Sequence, residues 1–139
     1  MPALGKWVSV TILALGMCLS CTIFYTPFED AIRLGAYEMK ITDAQRQGFD
    51  SAATCLGISP AIDPATRVLI GSMMPGSWNA PPSATRIGYT LKEEHLIMIA
   101  PFYAHSQRLL NHELIHMNLG GGHPIELFSG RCGVWPSPQ

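Results

Sequence analysis

His105-Ser106-Gln107-Arg108-Leu109-Leu110-Asn111-His112-Glu113-Leu114-Ile115-His116-Met117-Asn118-Leu119, closed by Gly120-Gly121-Gly122, is the stretch on which the reading of this chain turns. Leu109, Leu110, Leu114, Ile115 and Met117 form a broad apolar side at helical spacing. The glycine run then stops the helix. The spacing therefore predicts a helix over 105–119. His112 and His116 are four residues apart, which places both imidazoles on one helix face, one turn from each other. Two rings so placed can each aim a nitrogen at one metal ion about 2.0–2.1 Å away. Glu113 reaches the same mouth and can take a proton from water activated there, then pass it to a leaving amine. Asn111 and Asn118 flank this group and receive no role.

Upstream, the Leu96-Ile97-Met98-Ile99 run is continuously apolar, suits a central strand, and stops at Pro101. Arg86 to Leu91 and His95 to Ala100 read as two strands joined by a Lys92-Glu93-Glu94 turn, with His95 facing solvent near it. Pro75 to Pro82 reads as a loop, and Arg67 to Met73 as a short β-branched strand. A helix is expected over 43–56, with Thr42 as its cap, Gln45 three residues on and Gly57 as its stop. Another is expected over Glu29 to Met39, where Ile32, Ala36 and Met39 recur at helical spacing. There are no repeats. The order predicts a small α+β domain, a short mixed sheet packed on the His112 helix and a second helix.

The first twenty residues read differently. Trp7 to Leu19 is an uncharged apolar run of 13 residues behind Lys6, short for a bilayer span and suited to a signal segment. The alternative is a short membrane anchor or a buried helix. With 1–20 removed, 21–139 form one domain. Leu19-Ser20-Cys21 is similar to a bacterial lipobox, although Cys18 stands where leucine is usual. Cys21 is therefore either lipidated, giving a membrane-anchored lipoprotein, or simply the first residue of a secreted protein. Cys55 and Cys132 remain, able to bridge in an exported chain or to stay as two buried thiols. A bridge closes a loop of nearly 80 residues, which by chain entropy stabilises by about 4–5 kcal/mol. Net charge is −1, so no electrostatic footprint for nucleic acid exists.

The run His112-Glu113-Leu114-Ile115-His116 resembles the HExxH motif of the zincin metallopeptidases, in a small secreted or lipoprotein form. The resemblance implies a catalytic zinc, His112 and His116 as ligands, Glu113 as general base and acid, and a peptide or protein substrate. His123 is the best third ligand. It resembles the metzincin one displaced by one residue, since Gly120 and His123 stand four and seven residues after His116 rather than three and six. No methionine follows Met117, so the metzincin Met-turn is absent. Glu126 is the other candidate ligand. The tail His123-Pro124-Ile125-Glu126-Leu127-Phe128, then Cys132, resembles those of small secreted metallopeptidases. It is expected to fold over the site, held by a Cys55–Cys132 disulfide. Zincins add substrate backbone to an edge strand, here Ile87-Gly88-Tyr89-Thr90. Gly88 either allows close approach or marks a bulge. Tyr89 and Tyr103 either donate to an oxyanion or are half-buried aromatics, and His105 is either a neighbour of the site or a solvated helix start. Two other functions use the same residues: a non-catalytic metal-binding envelope lipoprotein, and an envelope interaction domain with a decayed peptidase site. Retention of Glu113 beside His112 favours the enzyme.

Overall fold

The computed structural model describes residues 26–71 and 87–137, and the signal segment, Cys21, Arg86 and the 75–82 loop lie outside them. The elements are α1 (Pro27–Arg33), β1 (Tyr37–Met39), α2 (Asp43–Leu56), β2 (Arg67–Ile70), β3 (Gly88–Leu91), β4 (Leu96–Ile99), α3 (Gln107–Leu119) and α4 (Ile125–Phe128). Single 3-10 turns at Lys92–Glu94 and Pro101–Tyr103 bracket β4. The fold is α+β.

Local chemistry sets the helix ends. At α2, Thr42 Oγ1 accepts from the Gln45 N–H at 3.2 Å and Gln45 Oε1 accepts from the Thr42 N–H at 2.9 Å. This reciprocal pair satisfies two donors that the helix cannot use itself. Gly57, at φ 69°, closes the other end in the left-handed region that glycine enters without steric cost. Ser106 caps α3 by accepting from the Leu109 N–H at 3.3 Å, so that helix begins two residues later than its apolar pattern suggests.

The helix expected over Glu29 to Met39 is corrected. It stops at Arg33, Gly35 turns the chain at φ 94°, and Tyr37–Met39 is a strand. The helical spacing of Ile32, Ala36 and Met39 misleads because Met39 belongs to the sheet, opposite Val68. Pairing with β2 gives the outer backbone groups of that strand their hydrogen bonds. β2 itself ends at Ile70 and β3 begins at Gly88, each shorter than expected.

The sheet order is β1-β2-β4-β3. β4 lies parallel to β2 and antiparallel to β3, so the apolar Leu96–Ile99 run is central and buried throughout. Strand alternation sorts the residues into two layers. Val68, Ile70, Ile97 and Ile99 face α2 and α3, with Phe49, Ala53, Leu110, Leu114 and Ile115. Leu69, Leu96 and Met98 face the other way, against Ala31 and Ala36, with Tyr89 and Leu91 packed beside them. Gly88 and Thr90 share the α3 side of β3, and β3 ends the sheet among the described residues.

Candidate metal centre

α3 buries its apolar side as amphipathicity requires, and it also buries Asn111, His112 and Glu113, which are 2%, 7% and 4% exposed. Three consecutive buried polar residues are costly unless each has a partner. Asn111 Nδ2 donates to the Gly133 carbonyl at 2.9 Å and its Oδ1 accepts from Gln107 at 2.7 Å. Glu113 Oε2 accepts from the Thr90 hydroxyl at 2.7 Å. His112 Nδ1 lies 2.7 Å from the Trp135 carbonyl.

That last contact fixes a tautomer. A carbonyl oxygen only accepts, so Nδ1 of His112 carries the proton and Nε2 keeps its lone pair. His116 repeats the arrangement, with Nδ1 3.0 Å from the Gly120 carbonyl. The two Nε2 atoms then face each other at 3.1 Å, and His123 Nε2 lies 3.1 Å from that of His116. Lone pairs so close repel unless a cation or proton lies between them. Imidazole nitrogens about 2.0–2.1 Å from a tetrahedral ion stand about 3.3 Å apart, close to this spacing. The three ligand atoms all lie within 4.8 Å of one another, and carbonyl acceptors on Nδ1 are the orientation that metal-ligating histidines adopt. The site fits a divalent metal ion.

Electrostatics agree. Burial pushes His112 down to about 4, against the opposing pull of the Trp135 carbonyl, and the neighbouring imidazoles push the same way. Burial lowers His116 too, with His123 adding to it. At neutral pH both rings are uncharged, the form that binds a metal. Phe128 packs against all three rings, with centroids 4.5, 4.8 and 5.0 Å from those of His112, His116 and His123. It is nearly parallel to His116, at 19°.

A cleft of about 240 Å³ opens over this group. One wall is Gly88, Tyr89 and Thr90, the other is Gly120 to His123, and Lys92 also lines it. Gly88 has a defined reason to lack a side chain. A Cβ there would lie 2.9 Å from Cδ of Glu113 and 3.1 Å from Cγ, and closer still to Oε1. The bare backbone of β3 lets the carboxylate lie flat against the strand.

The remaining residues fall as follows. Cys55 and Cys132 form a disulfide with Cα atoms 5.7 Å apart, tying the tail to the last turn of α2. Glu126 is exposed and stands outside the group of three imidazoles. Tyr89 borders the cleft, but its ring packs on the layer away from Glu113. Tyr103 sits edge-on to Trp135 at 5.5 Å, outside the cleft lining. His95 pairs with Asp63 at 2.9 Å, and His105 is exposed before the Ser106 cap. Sequence reasoning missed Phe128, the role of Thr90, and the Trp135 and Gly120 carbonyls. Only Thr90 left a signal, two residues from Gly88 and so on the same strand face. Comparison with known proteins found no matching family model, no similar curated protein and no similar solved structure.

Proposed function

We propose that this chain is a small zinc metallopeptidase of the zincin type, hydrolysing peptide bonds in an exported compartment. The observation that carries the reading is one arrangement: three imidazole nitrogens converge beside the buried Glu113 carboxylate, in a cleft walled by β3. His112, His116 and His123 would hold the ion, and an all-imidazole set suits zinc. Bound zinc supplies Lewis acidity, polarising a carbonyl oxygen and lowering the pKa of water toward about 7.

The chain's own groups do the rest. Glu113 takes the proton from the attacking water and delivers it to the departing amine nitrogen, as general base and then general acid. Thr90 donates to Oε2 of that carboxylate at 2.7 Å and so holds it beside Gly88 in the cleft lining. An extended peptide would pair with an edge strand as an added strand, and β3, which borders the cleft through Gly88, Tyr89 and Thr90, is the strand that would take that role. Phe128 backs the three rings with apolar surface, which keeps water from that side.

The Cys55–Cys132 disulfide suits an oxidising compartment. It supports export through the Trp7–Leu19 segment, with Cys21 as either a lipid anchor or a plain N-terminus. No helix among the described residues is long and apolar enough to cross a membrane.

The test is cleavage of a peptide library by the purified protein. Cleavage should stop with a chelator, return with added zinc, and fall by about 10²–10⁴ in Glu113→Gln. Zinc retained with no cleavage under any condition would instead favour the metal-binding envelope lipoprotein.

A further inference from the structure

We propose that Asn111 is a positioning residue for the metal centre, acting through the disulfide-linked tail over 130–135; this rests on the reading of His112 as a ligand. The Trp135 carbonyl selects the His112 tautomer that leaves Nε2 available. A backbone carbonyl is only as well placed as the segment that carries it. Here that segment has no regular secondary structure, and cross-links hold it in place. Asn111 Nδ2 donates to the Gly133 carbonyl at 2.9 Å. Arg108 donates to the Gly130 carbonyl at 2.9 Å and the Val134 carbonyl at 3.2 Å. The Trp135 N–H returns to the Arg108 carbonyl at 3.0 Å. Val134 is wholly buried, and Cys132 is bonded to Cys55 on α2.

The helix that carries His112 and His116 therefore also fastens the segment that orients one of them. Asn111 is the buried polar side chain of this set. It faces Gly133 two residues before Trp135, on the position preceding His112 itself. Its amide has no part in metal binding or proton transfer, so its burial is explained by this fastening. The Nδ1–H form of an imidazole is the less favoured one in water, so a segment that selects it improves metal affinity without touching the metal. Partners of this kind typically change affinity 10–100-fold.

Asn111→Asp keeps the shape and the bond accepted from Gln107, and replaces the donor to Gly133 with a carboxylate oxygen that repels that carbonyl. The double variant Cys55→Ser with Cys132→Ser releases the same segment from its other end. Two readouts apply to the full chain: the ring-nitrogen chemical shifts of His112 in metal-free protein, and zinc affinity by competition with a chelating dye. The wild type should show the Nδ1–H tautomer. In Asn111→Asp that population should drop and zinc affinity should weaken about 10–100-fold, with a smaller change in the same direction in the double variant. If Asn111→Asp does not fold, the double variant decides by the same two readouts. Unchanged tautomer and unchanged affinity in the folded variants would overturn the proposal. A wild type that takes up no zinc would defeat the metallopeptidase reading, while the tautomer in the metal-free protein still decides this one.

Discussion

Replacing Gly88 by alanine puts a methyl group where the Glu113 carboxylate lies. The added Cβ would stand 2.9 Å from Cδ and 3.1 Å from Cγ, with Oε1 nearer still, and real Cβ contacts do not come that close. β3 cannot yield, because it is registered against the buried strand β4, Gly88 opposite Ile99. Glu113 must therefore move, and its bond from Thr90 at 2.7 Å is lost or lengthened. Overpacking of this kind costs about 1–3 kcal/mol, and a hydrogen bond to a charged group is worth about 1.5–3 kcal/mol. Melting temperature should fall accordingly. Cleavage should fall about a hundredfold or more, the lower range of what a general base contributes. Zinc content should hold, because the three atoms nearest a Cβ at Gly88 all belong to Glu113 and none to an imidazole. The control is Gly121→Ala, on the opposite wall, where a Cβ meets nothing within 4 Å and little should change. Gly88→Ala with wild-type stability and cleavage would refute the placement of Glu113 against the strand.

Three further outcomes are expected. Phe128→Ala should lose about 3–5 kcal/mol in urea unfolding, because its ring is nearly buried against three imidazoles; a loss under 1 kcal/mol would contradict that packing. Metal-free protein should lose stability as pH falls. His112 titrates near 4 when folded and near its ordinary 6.5 when unfolded, so below 6.5 the unfolded chain takes a proton that the folded one refuses. The loss should run from pH 6.5 to about 4 and amount to about 3 kcal/mol, steepened by His116, which is lowered too; stability that is flat or rises over that window would contradict the burial argument. Reducing Cys55–Cys132, which are 77 residues apart, should cost about 4–5 kcal/mol by the chain-entropy relation; an unchanged urea midpoint would show that the bond does not constrain the unfolded chain.

What the sequence reveals here depends on whether the information is local. The ends of α2 are legible because Thr42, Gln45 and Gly57 each act on backbone within four residues. The centrality of β4 is legible because four apolar residues in succession suit only a strand covered on both faces. The convergence of His112 and His116 follows from the helical repeat, and the glycines after Leu119 allow His123 to return to them. β1 is not legible, because three residues of strand carry too little pattern and the spacing of Ile32, Ala36 and Met39 imitates a helix. Phe128 looks like any tail phenylalanine until the tail is folded against the rings. The carbonyls of Trp135 and Gly120 have no sequence signature, since every residue carries one. The Asn111 fastening depends on Gly133, 22 residues away, and no periodicity links the two.

The central claim is that His112, His116 and His123 form one metal centre served by Glu113. Its most direct test is the metal content of purified protein, wild type beside His112→Ala, His123→Ala and Glu113→Gln. The account predicts about one zinc per chain in wild type and in Glu113→Gln, and its loss from both histidine variants. A wild type that holds no zinc even when supplied with it would contradict the account and leave α3 as a helix whose histidines merely share a face.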